Sequence, residues 1–324
     1  MWVGITDSSW FEQLRAQRPD EVNYWQPGGN TAFRALQESG LFLFKLHHPH
    51  NYIVGGGYFV RHSFLPVSLA WKAFGLGNGV QDLKTFNSLI LKYRRGAAGH
   101  DPIIGCIILT QPFFFERQDW IPAPDSFKKN IVTGKTYESD SNECQALVEQ
   151  VRRRLSAPIA AEFQPETDNT ERYGNPLMVR PRLGQGAFRV LVIEGYQRRC
   201  ALTGEKTLPV LEAAHIKPYA AQGPHRLQNG LLLRSDLHIL FDQGYFTVTP
   251  DHHVIVSKRI REEFQNGKEY YAMDGKLLKV MPELDQDRPA KDFLEWHNKE
   301  GLLQIVWVIL DPRLRLGADV AWVS

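Results

Sequence analysis

The chain is poor in cysteine and in long apolar runs. Its 324 residues hold three cysteines, Cys106, Cys144 and Cys200, with no CxxC spacing between any of them. An odd, scattered set excludes a disulfide framework and a four-cysteine zinc site, and predicts reduced thiols. The longest apolar run, Leu302 to Leu310, is broken by Gln304 and is too short to span a bilayer. Met1 to Trp10 lack the basic segment, apolar stretch and small cleavage residues of a secretory signal, so a cytoplasmic protein is expected. A dinucleotide fingerprint is missing as well: GQGAFR at 184–189 has two glycines, no third, and no strand before it. No internal repeat or low-complexity tract is present.

What is present is ordinary globular composition, 43% apolar, in a chain long enough for two domains. The net charge of +2 is uninformative until it is resolved along the sequence. Residues 180–235 then stand out, with nine basic side chains against three acidic ones. Such a stretch suits a phosphate backbone, where Lys and Arg gain free energy by releasing counterions; Lys217, Arg226 and Arg234 are the candidates.

Residues 1–137 alternate strand-like runs, LFLFKL (41–46), GYFV (57–60) and IIGCIIL (103–109), with helical patterns near 66–74 and 80–94. GGG (55–57), GLGNG (75–79) and PAPDS (122–126) read as loops between these elements. Residues 138–173 read as a helical linker. Leu147, Val148, Val151 and Leu155 share one helix face, and the stretch from Pro158 to Gly174 is polar and Pro-rich. A second domain over 174–324 is expected, ending in a tail with a short strand-like run.

The chemistry concentrates in YQRRCALTGEKTLPVLEAAHIKPYAAQGPHRLQNGLLLRSDLHILFDQGYFTV, residues 196–248. LEAAHI reads as a strand ending near His215, a polar loop follows, NGLLL opens a second strand at Asn229, and RSDLHILFD reads as a helix stopped at Gly244. His238 and Asp242 lie four residues apart on that helix and share a face. Hydrolysis of a phosphodiester needs a water made nucleophilic by a base of near-neutral pKa, and a cation beside the phosphate. Imidazole suits the base, carboxylate and imidazole donors suit the cation, and an Asn at a loop exit can brace the loop.

This stretch resembles the HNH branch of the ββα-metal nucleases, in its His, Asn, His order and its AAHI, NGLLL and DLHILFD segments. The resemblance implies that His215, Asn229 and His238 are catalytic, with His215 as general base, Asn229 as the loop-positioning residue and His238 as a ligand of Mg²⁺ or Mn²⁺. Many such sites carry Asp or His just before the base. Ala214 stands there instead, so Glu212, Asp242 or His225 is needed to complete the metal shell. Cys200, where some relatives begin a zinc knuckle, reads as a packed thiol. His252, His253 and His297 read as lacking organised partners.

Across 2–137, YWQPG (24–28), the strand runs, LAWKAFG (69–75) and FFFERQDWIPAP (113–124) resemble the PUA superfamily, which includes EVE and SRA-like readers of modified bases. The fold class expected is therefore α+β, an N-terminal PUA-like barrel-type domain with flanking helices, a linker helix, and a C-terminal HNH domain. That resemblance implies a base-flipping pocket, for which Trp25, Trp71 and Trp120 are candidate stacking residues and Asn30, Asn78 and Asp119 candidate edge readers. The function expected is a defence-type endonuclease cutting duplex DNA near a modified base such as a modified cytosine. A restriction enzyme for an unmodified sequence and a non-catalytic DNA-binding HNH fold are the alternatives. A homodimer would supply one site for each strand.

Overall fold

A computed structural model describes residues 1–94, 99–162 and 183–301. Most of the Pro-rich linker stretch, from 163 on, and the strand-like run 302–310 lie outside the described residues. The fold is α+β, and the chain divides into two compact units, Met1–Ala187 and a second from Phe188 onward.

The first unit is built on strands β1 (Trp2–Thr6), β2 (Glu21–Gln26), β3 (Leu41–Leu46), β4 (Tyr52–Pro66), β5 (Ile103–Phe114), β6 (Ile121–Pro122) and β7 (Gly134–Thr136). They pair in the order β2-β5-β4-β3-β1-β7, with β6 added to β4. The pairings are antiparallel except β1 with β3, which is parallel. The expected barrel-type closure is not seen among the described residues. β2 and β7 end the path unjoined, because the three-residue β7 pairs only with β1.

Helices α1 (Ser8–Gln17), α2 (Val67–Phe74), α3 (Leu83–Tyr93) and α4 (Asn142–Glu162) accompany the sheet. Strand alternation sends Phe42, Phe44 and Leu46 of β3 into one core with Trp10, Phe11 and Leu14 of α1. Leu41 and Leu43 go to the other face, where Cys144, Leu147 and Val151 of α4 cover them. Both faces of β3 are thus buried, which is why all six of its residues are apolar or, as with Lys45, internally bonded. The helix expected as a linker is therefore, over its first three turns, a wall of the first unit's core.

GGG at 55–57, expected as a loop, lies inside β4. A Cβ on Gly55 would stand 2.3 Å from the Phe113 carbonyl oxygen, and one on Gly56 2.5 Å from that of Phe42. Only glycine admits so close an approach of β3 and β5, and the register shifts beside Gly56 as in a bulge.

The second unit contains strands β8 (Leu211–His215) and β9 (Gly230–Arg234), a hairpin of β10 (Phe246–Val248) and β11 (Val254–Val256), and helices α6 (Ser235–Asp242), α7 (Arg259–Phe264), α8 (Lys268–Tyr271) and α9 (Lys291–Trp296). Helix α5 (Gln185–Gly195) contributes its residues from Phe188 on to this unit. Its apolar residues Phe188, Val190, Val192 and Ile193 are buried. Gly230 lies so close beneath it that a Cβ would meet Val192 at 2.5 Å and Phe188 at 3.2 Å.

Candidate active site

The order expected from sequence, strand, loop, strand, helix, is present as β8, residues 216–229, β9 and α6. β8 and β9 are antiparallel, with Glu212 opposite Leu233 and His215 opposite Gly230. β9 runs directly into α6, and buried Leu231, Leu232, Leu233, Leu237 and Phe241 anchor that turn from strand to helix. The polar residues of the two elements are thereby fixed on a rigid base.

Asn229 is fully buried and bonded throughout. Its Nδ2 donates to the carbonyls of Lys217 (2.9 Å) and Pro224 (3.0 Å), while its Oδ1 accepts from the Lys217 amide (2.8 Å). One amide thus clamps both ends of the loop after His215.

His238 faces two carboxylates. Its Nδ1 is 2.8 Å from Glu212 Oε2 and its Nε2 is 3.3 Å from Asp242 Oδ2. Glu212 comes from β8, three residues before His215, and its carboxylate reaches His238. Burial pushes the Asp242 carboxyl above its ordinary value; His238 pulls it down and Glu212 raises it further. Two carboxylates around one imidazole leave surplus negative charge. Among the described residues no three His, Cys, Asp or Glu side chains form a ready metal cage. The oxygen and imidazole donors of Glu212, His238 and Asp242 nonetheless match the chemistry of a divalent cation, which would neutralise that surplus.

His215 stacks on Phe188 of α5, ring centres 3.9 Å apart at 16°. Its Nε2 lies 3.0 Å from Nδ1 of His225. Burial first, then His225 and His238, push its pKa down to about 4, so the ring is neutral at pH 7. His225, considered from sequence as a further cation ligand, meets His215 instead. Arg189, next to Phe188, is not singled out by sequence; its Nε is buried without a hydrogen-bond partner, and Glu212 offsets part of the fall in its pKa that burial causes.

The remaining candidates fall differently. Arg226 is exposed, and Lys217 Nζ lies over the Trp296 ring at 5.8 Å. Arg234 forks onto Asp236 at 2.6 and 2.7 Å, so its charge is already matched. Trp25 donates to the Asn78 carbonyl at 2.9 Å and Trp120 to that of Phe115 at 3.2 Å; both lie against the core, whereas Trp71 is half-buried on α2. Among the described residues no ring contact joins any two of the three. Asn78 is buried and bonded to Ala70, Gly75 and Asn23, so its edge is occupied. Asp119 offers its backbone carbonyl to Arg154, and Asn30 is exposed. His297 and His252 do have partners: His297 is stacked on Phe241 at 3.8 Å and bonded to Thr247, and His252 meets the Pro289 carbonyl at 3.0 Å. Cys200 is a buried free thiol, as are Cys106 and Cys144.

A cavity of about 470 Å³ in the second unit is bordered by Leu202, Arg234, Tyr270 and Lys279, and none of Glu212, His215, His225, His238 and Asp242 lines it. No described helix is long and apolar enough to cross a membrane.

Residues 200–249 match the family model described as HNH endonuclease. No curated protein matches the chain. Among solved structures, an ASCH protein from Zymomonas mobilis is 12% identical over 46% of this chain and 93% of its own, with a TM-score of 0.31. A modification dependent TagI restriction endonuclease is 14% identical over 87% of this chain and 75% of its own, with a TM-score of 0.26. Likeness at that level assigns neither fold nor activity.

Proposed function

We propose, from the premise that residues 200–249 form an HNH endonuclease module, that the protein is a divalent-metal-dependent endonuclease cutting duplex DNA near a modified base, with modified cytosine the first to test. The observation that carries the reading is the meeting of Glu212, His238 and Asp242 beside a neutral His215 on one strand-strand-helix frame. His215 takes the proton of the attacking water. Asn229 holds the loop that follows it, so the ring meets the water in one orientation. Glu212, His238 and Asp242 would hold a divalent cation, Mg²⁺ or Mn²⁺, which when bound would supply charge neutralisation for phosphodiester hydrolysis. Lys217 and Arg226 meet flanking phosphates, while Arg234, matched by Asp236, contributes less than its charge promised from sequence.

Substrate choice belongs to the first unit in this reading, as a PUA-like reader domain. Its support is the aromatic content and element order of residues 2–137. Trp71 is the stacking candidate best suited, because Trp25 and Trp120 have their indole N–H groups engaged with the backbone.

One digestion series decides between this and its alternatives. Purified protein with Mg²⁺ or Mn²⁺ is given matched duplexes that differ only in cytosine modification, alongside His215→Ala. Preferential cutting of the modified duplex is expected, with the variant slower by roughly 10²- to 10⁴-fold, the share a positioned base supplies. Equal cutting of both duplexes removes the modification reader and leaves an ordinary restriction enzyme. Binding without cutting leaves a non-catalytic HNH fold.

A further inference from the structure

The loop between β8 and β9 carries a second imidazole to the first. His225 Nδ1 lies 3.0 Å from His215 Nε2, and the rings meet at 60° with centres 5.1 Å apart. Tyr219 stacks on His225 at 4.7 Å and 9°, while Phe188 stacks on His215. The loop itself is fixed by Asn229, which accepts from Lys217 and donates to Pro224, the residue just before His225. Two stacked rings and one buried amide therefore hold this contact in place.

Two neutral imidazoles in nitrogen-to-nitrogen contact share one proton, carried by one ring or the other. If His225 carried it on Nδ1, neutral His215 would bear its own proton on Nδ1 and have no lone pair for water. If His215 carries it on Nε2, its Nδ1 lone pair is open, and His225 keeps its proton on Nε2. His225 is only partly buried.

We propose that His225 is a positioning residue: as acceptor of the His215 Nε2–H bond it fixes the tautomer in which His215 Nδ1 can take a proton from water. When that proton arrives, His215 is a cation bonded through Nε2–H to a neutral acceptor, a charge-assisted bond that offsets the burial opposing its charge. Burial also lowers the pKa of His225, which keeps the acceptor neutral. This inference rests on the reading of His215 as base.

The test uses the full chain labelled with ¹⁵N-histidine and free of metal, as wild type, His225→Ala and His225→Asn. Imidazole ¹⁵N shifts should place the His215 proton on Nε2 in the wild type, and in His225→Asn, whose amide oxygen can accept the same bond. A mixture of tautomers is expected in His225→Ala. In cleavage assays His225→Ala should lose at least about tenfold in kcat, a part of the roughly 10²- to 10⁴-fold that the base itself supplies, with KM for DNA changed less than about twofold; His225→Asn should recover most of the loss. A wild-type His215 carrying its proton on Nδ1 overturns the proposal, even if His225→Ala does not fold. So does an unchanged kcat in His225→Ala beside a dead His215→Ala. Undiminished cutting by His215→Ala overturns the base reading instead, and leaves the tautomer result standing.

Discussion

His238 and Asp242 meet because helical spacing brings positions four apart onto one face, and that much is legible in sequence. Glu212 reaches the same imidazole from a strand 26 residues earlier. No local period encodes such a contact, so sequence can only nominate it. The pairing of His225 with His215 is less legible still, since loop positions carry no periodicity and the contact depends on where Asn229 clamps the chain. His297 is the plainest miss. It lies in a buried niche between Phe241 and Thr247, and burial pushes its pKa down to about 4. The unfolded ring takes a proton near 6.5, so between 6.5 and 4 the unfolded chain binds more protons than the folded one. Stability is then complete above 6.5 and falls as the pH drops toward 4, by about 3 kcal/mol in all for this ring. Urea denaturation at about pH 7.5 and about pH 5 should give a midpoint that falls on acidification, and falls less in His297→Gln. Identical pH dependence in the two proteins would remove His297 as a source of acid lability.

At the level of elements, the ββα order is readable because each piece is short, strongly patterned and bounded by turn residues. β3 and β5 are readable for the same reason. β4 is readable only over its GYFV segment, because glycines that permit close strand approach look the same in sequence as glycines that make a loop. β1, β2 and α1 are not: Gly4 interrupts the five-residue β1, and polar positions break up β2 and α1. Helix α4 is recognisable as a helix but not as part of a core, because an apolar stripe does not say what it covers. Its Leu147 is 2% exposed within the cluster of Leu41, Leu43 and Tyr137. Leu147→Ala should therefore destabilise the first unit by about 2 to 5 kcal/mol, as large-to-small core changes do. A fragment of residues 1–162 should melt cooperatively where 1–137 does not. Equal melting of the two fragments would show that α4 is an appendage.

For the whole molecule, the proposed reading gives the two units separate roles. One carries the hydrolytic frame, and the other is left for choosing where to cut. If His215 is the base, one copy attacks one strand at a time, and we predict that two copies act together to cut both strands of a duplex. Light scattering of the protein with duplex DNA should give the mass of two chains per cut site. A single chain per duplex, with both strands severed together, would rule out that assembly.

The pairing of β1 has a consequence for how the protein is made. Trp2–Thr6 lies between β3 on one side and Gly134–Thr136 on the other, and Val3 is covered by α4 residues as late as Val151. Strand β1 must wait until Val151 has emerged from the ribosome before its environment is complete. Until then its unpaired edge is open to neighbouring chains. Yield of soluble protein should consequently depend more on translation rate and chaperone supply than on the stability of the finished sheet.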